Sequence, residues 1–142
     1  MFDRILYPTD FSDVSMKGLS YVLKLKEAGV KAVTVLHVID ERLLVGAAHF
    51  IDFMAVENKL REIADAECNK IVLQLRENGM NAKFKLEKGI PFQEILKAAR
   101  EDNASLIVIG SHGKSNVEEM LLGSVSEAVI RKAVQPVLVV KR

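Results

Sequence analysis

The chain carries one cysteine, Cys68, so it cannot form an internal disulfide or build a cysteine-rich metal site. It also lacks an excess of either charge. Lys and Arg number 20 against 19 Asp and Glu, a net charge of +1, which removes the bulk electrostatic signature of a nucleic-acid or membrane surface. A specific anion site is not excluded, because such a site is local. No run of about 18 apolar residues could span a bilayer. The opening MFDRILYPTD has no apolar core of a signal peptide, so a cytoplasmic protein is expected, with neither membrane nor nucleic acid as a partner. No internal repeat, low-complexity segment or linker interrupts the 142 residues, so a single domain, 1–142, is predicted. An apolar fraction of 49% with 27% charged residues leaves an ordinary globular protein with a full core.

What is present is an alternation of short β-branched runs and helical stripes. Arg4–Tyr7 predicts a strand halted at Pro8-Thr9-Asp10, since proline disfavours helix before it and offers no ladder donor. Ser12 predicts an N-cap, with Asp13 in the first turn, and a stripe through Val14, Leu19, Val22, Leu23 and Leu25 runs to Ala28 before Gly29. Ala32–Val38 predicts a central strand. Residues 39–50 show no assignable pattern, and a loop or partly ordered lid is expected there. Phe53, Val56, Leu60, Ile63 or Ala64, Cys68, Ile71 and Leu75 predict a helix from Ile51 to Asn78, with Cys68 in the core.

Ala82–Leu86 alternates with Lys83 and Lys85 as an edge strand does. Pro91 suits a first helical position, with Phe92, Ile95, Leu96 and Ala99 buried and Asp102-Asn103 ending the helix. Leu106–Ile109 predicts a strand, Ser124–Ala133 a helix and Pro136–Val140 a closing strand. The alternation implies an α/β fold, a doubly wound five-stranded parallel sheet of strand order 3-2-1-4-5 with helices on both faces. Ligands bind such sheets beyond the carboxyl ends of the strands, at the reversal of strand order between the first and fourth strands.

The residues just past those two ends are Pro8-Thr9-Asp10 and Gly110-Ser111-His112-Gly113, with Val38 next door. Gly110-x2-Gly113 and, nine residues later, Gly123-Ser124 join a strand, a glycine turn and a helix start. That order builds an anion cradle from main-chain N–H groups, although Gly110 and Gly113 alone are equally a plain turn. Gly113-Lys114-Ser115 is not the end of a P-loop, because the required earlier glycine is Val108, and the dinucleotide fingerprint is absent as well. Asp10, anionic beside an anion loop, suits ribose hydroxyls or a cation.

On these residues the chain resembles the ATP-binding branch of the universal stress protein family. The glycine spacing matches that family's nucleotide pattern. Tyr7-Pro8-Thr9-Asp10-Phe11-Ser12 is similar to its first strand and loop, Leu36-His37-Val38 to its second strand, and Pro136–Val140 to its last. The resemblance covers essentially the whole chain, with nothing to compare over Asp40–Met54.

It implies an adenine nucleotide alpha hydrolase-like, Rossmann-like fold. Asp10 would contact ribose or the adenine side, and Val38 would offer its backbone to adenine. Gly110 would approach ribose, while Gly113, Gly123, Ser124 and Val125 would bind phosphates. It further implies a homodimer through the last strand. The apolar edge run Val137, Leu138, Val139 and Val140 independently predicts a twofold pairing there.

The expectation is an ATP-binding (or AMP-binding) sensor or switch in stress response, read by a protein partner that the residues do not specify. Mg²⁺ or Mn²⁺ would be held mainly through phosphates. The rivals are a slow ATP hydrolase or phosphotransferase using His112 and Lys114, and a dimeric interaction module that binds no nucleotide. No nucleophile with an orienting acid accompanies His112, which is read as positioning the backbone or touching phosphate. His37 is read as a packed core histidine, and His49 carries no reading. Lys114 is either a phosphate contact or solvated. Ser124-x-x-Glu127 predicts a capping box and Ser115-x-x-Glu118 a second cap.

Overall fold

A computed structural model describes residues 1–47, 52–113 and 122–142. Five strands, β1 (Arg4–Pro8), β2 (Ala32–Asp40), β3 (Asn81–Gly89), β4 (Leu106–Gly110) and β5 (Val137–Val140), form one sheet in the order β3-β2-β1-β4-β5. Every pairing is parallel, with Pro8 opposite Leu36 and Gly110 opposite Val140. The central strands β1 and β4 are nearly or wholly buried, as continuous apolar runs require.

Helices α1 (Asp13–Lys24) and α3 (Phe53–Glu77) cover one face, where Tyr7, Val22, Val33, Cys68, Ile71 and Leu75 pack together. Helices α4 (Pro91–Glu101) and α5 (Ser124–Lys132) cover the other, over Leu6, Leu36, Ile95, Ile107 and Val129. Ser12 caps α1 as predicted, its hydroxyl accepting from the Ser15 amide at 3.3 Å. The last predicted turn tightens into a 3₁₀ segment, Leu25–Ala28, before Gly29 turns left-handed at φ 98°. Cys68 is fully buried, and burial pushes its thiol up to about 12.

Two expectations are corrected here. Residues 41–47 are not a loop but a short helix, α2 (Glu41–Ala47). Asp40 starts it by accepting from the Arg42 amide at 3.0 Å and pairing with that residue's guanidinium, while Leu44, 1% exposed, anchors it. Along α3 the buried stripe runs through Glu57, Ala64, Cys68, Ile71, Val72 and Leu75, leaving Leu60 and Ile63 exposed. Glu57 takes an inward position because Lys88, at the end of β3, meets its carboxylate at 2.7 Å. An ion pair has replaced the apolar contact that periodicity alone would place there.

At the amino end of the sheet, Lys83 and Lys85 on β3 converge on Asp102, at the end of α4. Lys85 Nζ donates to Asp102 Oδ1 at 2.8 Å. Burial pushes the Asp102 carboxyl up, but hydrogen bonding from Lys85 and Thr34 and the two ammonium charges outweigh it. The carboxyl ends below its ordinary value, and hydrogen bonding to Asp102 raises Lys85. A depressed carboxylate stabilises the fold above its unfolded pKa and loses that contribution as pH falls through the folded one. Asp102→Asn is therefore expected to lower stability by about 1–2 kcal/mol at neutral pH. In urea unfolding series, the gap from the parent chain should close as pH falls below about 4.

Candidate functional site

The β1–α1 turn is built by short side chains bonding to their own backbone. The Thr9 amide donates to the Leu36 carbonyl at 2.8 Å, tying the turn to β2. Thr9 Oγ1 accepts from the Phe11 amide at 3.0 Å and meets Ser15 Oγ at 2.7 Å. Asp10 Oδ1 accepts from the Ser12 amide at 3.0 Å. These bonds hold Phe11 at φ 65°, a left-handed conformation that a phenylalanine adopts only when its surroundings impose it. The Phe11 ring then stacks on His37, centroids 4.5 Å apart, and His37 Nδ1 donates to the Thr9 carbonyl at 2.8 Å. His37 is thus a half-buried residue at the mouth of the sheet, not the packed core histidine expected. Its strand position faces the turn rather than the interior.

Underneath, the Tyr7 hydroxyl donates to the Ser15 carbonyl at 2.5 Å. Burial pushes that phenol up to about 12, so it stays protonated and serves as a fixed strut.

The second half of the site follows β4. A Cβ at Gly110 would stand 3.1 Å from the backbone N and Cα of Ser15, so the glycine lets α1 lie directly on the strand end. Its small size is explained by packing. Ser126, buried on α5, donates its hydroxyl to the Gly110 carbonyl at 2.6 Å, and the Gly123 amide donates to the Ser111 carbonyl at 2.6 Å. Those two bonds draw the start of α5 onto the β4 loop. A Cβ on Gly123 would lie 3.4 Å from His112 Cα and 3.8 Å from the Gly113 nitrogen, and one on Gly113 would lie 2.7 Å from Asp10 Oδ2. Gly113, Gly123 and Asp10 therefore meet in one place.

Gly123, not Ser124, is the N-cap of α5, and among the described residues no side-chain cap is made. The expected capping box does not form. Ser124 is the first helical residue and is exposed, and the Glu127 side chain turns to Arg131 instead. The extended backbone of Gly123, held by Ser111, starts the helix one residue early. The first-turn amides of α5 consequently have no intrahelical acceptor and present the positive end of the helix outward. Val125 packs its side chain into the core beside α4, leaving its main chain at the helix end.

Pro8, Thr9 and Asp10 thus stand beside Gly110, Ser111, His112 and Gly113, and these beside Gly123, Ser124 and Val125. Val38, near the end of β2, lies one strand further along, its side chain in the core under α4 and α5. Lys114, Ser115-x-x-Glu118 and His49 fall outside the described residues. Three residues escaped the sequence reading: Ser111, 1% exposed with its hydroxyl 2.8 Å from His112 Nδ1, and the buried Ser15 and Ser126. Ser15 and Ser126 bond to neighbouring backbone and Ser111 to the His112 side chain, and small polar residues give periodicity no signal. Among the described residues, no three His, Cys, Asp or Glu side chains group closely enough to hold a metal.

The two glycines should respond differently to one added carbon. Gly110→Ala presses on the main chain of α1 and is expected to cost about 1–3 kcal/mol. Gly113→Ala displaces only the end of the Asp10 side chain and should cost clearly less. Denaturant unfolding of both variants tests the order.

Comparison with known proteins agrees with this architecture. The universal stress protein family profile matches residues 1–141. Universal stress protein MJ0577 of Methanocaldococcus jannaschii is 41% identical over 156 residues, spanning 100% of this chain and 96% of that protein. The solved structure of MJ0577, described as a hypothetical protein, has a TM-score of 0.93 at 42% identity, covering 100% of this chain and 97% of that one. The universal stress protein from Archaeoglobus fulgidus in complex with dAMP has a TM-score of 0.66 at 25% identity, covering 99% and 98%. With the family profile spanning residues 1–141 and a relative 41% identical over the whole chain, the chain belongs to the universal stress protein family.

Proposed function

We propose that the chain binds an adenine nucleotide, ATP in the first instance, and acts as a nucleotide-dependent switch in stress physiology. The observation that carries this is the meeting of Gly113 and Gly123 beside the start of α5. A phosphate seated there would accept from main-chain amides and face the helix dipole, with the Asp10 carboxylate at its side. A relative of the same fold, its structure in complex with dAMP, supports the adenine nucleotide class. Adenine would lie toward Val38 and ribose toward Asp10. The phosphates would run over Gly113, Gly123, Ser124 and Val125, and Mg²⁺ or Mn²⁺ would be held mainly by phosphate oxygens. Gly110 contributes by letting α1 approach. Pro8 and Thr9 shape the turn that presents Asp10.

Binding rather than turnover is the reading. Ser111 is too deeply buried to meet a substrate, and it engages His112 at Nδ1. His112 would position the loop. In the cytoplasm, the single domain would answer the nucleotide supply, and a protein partner would read the loaded state.

Protein stripped of nucleotide should give heat with ATP–Mg²⁺ in isothermal titration. At a hundredfold excess over Kd it should gain about 2.7 kcal/mol of stability. Gly113→Val should abolish that gain while the ligand-free protein still folds, since a branched Cβ intrudes where phosphate would sit. Absence of heat from the parent protein would sink the reading.

A homodimer through β5 belongs to the same proposal. Val137, Leu138 and Val139 are half-buried, Val140 is buried, and β5 is the sheet edge opposite β3. Pairing across a twofold axis would complete that edge. Sedimentation at micromolar concentration should show a dimer, and Val139→Lys should shift it toward monomer.

A further inference from the structure

Ser126 is 3% exposed at the third position of α5, where a methyl side chain would fill nearly the same space. A hydroxyl kept out of water needs a hydrogen-bond partner. A serine inside a helix commonly finds one in a carbonyl a turn back along its own helix. Ser126 instead reaches sixteen residues back to another element, donating to the Gly110 carbonyl at the end of β4 at 2.6 Å. Its main-chain amide belongs to the first turn of α5, whose amides have no acceptor within the helix until Glu127 donates to the Gly123 carbonyl. Resting on the nucleotide reading above, we infer that Ser126 is a positioning residue, whose buried hydroxyl sets how strongly the protein holds the nucleotide's phosphates without touching them.

Two bonds fix how the start of α5 stands on the β4 loop: the Gly123 amide to the Ser111 carbonyl and the Ser126 hydroxyl to the Gly110 carbonyl, both at 2.6 Å. The first joins main-chain groups at the very end of the helix. The second acts three residues further in, so together they fix the direction of the first turn as well as its distance. Only the second belongs to a side chain and can be removed by substitution. Main-chain amides grip an anion only when aimed at it, because a hydrogen bond weakens steeply as its angle closes. Without the hydroxyl, the first turn of α5 is free to pivot about Gly123. Its amides must then be re-aimed when phosphate arrives, and that ordering subtracts from the affinity. Adenine and ribose, placed toward Val38 and Asp10, rest on β2 and the β1–α1 turn, away from the Ser126 bond. A nucleoside without phosphate is therefore indifferent to the change.

The test is calorimetric titration of ATP and AMP, each with Mg²⁺, and of adenosine, into the parent protein and Ser126→Ala. Loss of a buried hydrogen bond lowers the unfolding temperature whatever its purpose, so stability alone decides nothing. The affinities for ATP and AMP should fall on the order of tenfold, the worth of one such bond, while that for adenosine keeps its parent value. Ser126→Thr, which retains the hydroxyl, should keep the parent ratio of ATP to adenosine affinity. Ser126→Cys offers a weaker donor in a similar volume and should give an intermediate ratio, even where the alanine variant fails to fold. Equal losses for adenosine and the two nucleotides overturn the inference, because they mark a general loosening of the site. Unchanged affinities overturn it as well, while leaving the nucleotide site standing. Failure of the parent to bind ATP or AMP removes the nucleotide reading and this inference together.

Discussion

The arrangement depends on a backbone-to-backbone approach. At Gly110 the end of β4 comes so near the first turn of α1 that one added carbon would lie 3.1 Å from the main chain of Ser15. That closeness makes the β1 turn and the β4 loop neighbours at the same height above the sheet. Ser15 is then used three ways: its carbonyl accepts from Tyr7, its hydroxyl meets Thr9, and its backbone abuts Gly110. Ser126 and Gly123 repeat the strategy from the opposite face, bringing α5 onto the same loop. Helices from both sides of the sheet thus converge on one short segment, Gly110–Gly113, α1 by close backbone packing and α5 by hydrogen bonds.

Local electrostatics here owe nothing to the overall charge of +1. Among the described residues, the start of α5, its oriented amides and the Asp10 carboxylate occupy a small region, and fixed dipoles of this kind incur no reorganisation cost when an anion arrives. Phe11, held in a left-handed conformation by Thr9 and stacked on His37, indicates how much of the turn's geometry is imposed by its neighbours. Conformations like this persist only where the surroundings over-determine them.

The strand order, the parallel sheet, both glycine positions and the placing of Asp10 were legible because each leaves a strong local mark: β-branched runs, turn residues at fixed offsets, a carboxylate after a proline. What was not legible had a nonlocal cause. Helix α2 is started by Asp40 and anchored by Leu44, but Gly46-Ala47-Ala48 masks the pattern by supplying no apolar face. Glu57 points inward because Lys88, thirty-one residues on, meets it, and no periodicity encodes that partner. Ser124 lost its capping role to a hydrogen bond between Gly123 and Ser111, which exists only once β4 and α5 have met. His37 was assigned to the core from the apolar residues around it, whereas its side chain answers to the turn above.

The two margins of the sheet are unlike. On β3, nine residues carry Lys83, Lys85 and Lys88, each held by an acidic neighbour, so a strand approaching that margin must contend with ammonium groups fixed in place. On β5 the strand is four residues of valine and leucine with no charge among them. Strand addition of the kind proposed for the dimer would therefore be disfavoured at β3 and open only at β5. Any such pairing uses up the receptive margin of both participants, so the association is self-limiting and cannot run on into a fibre.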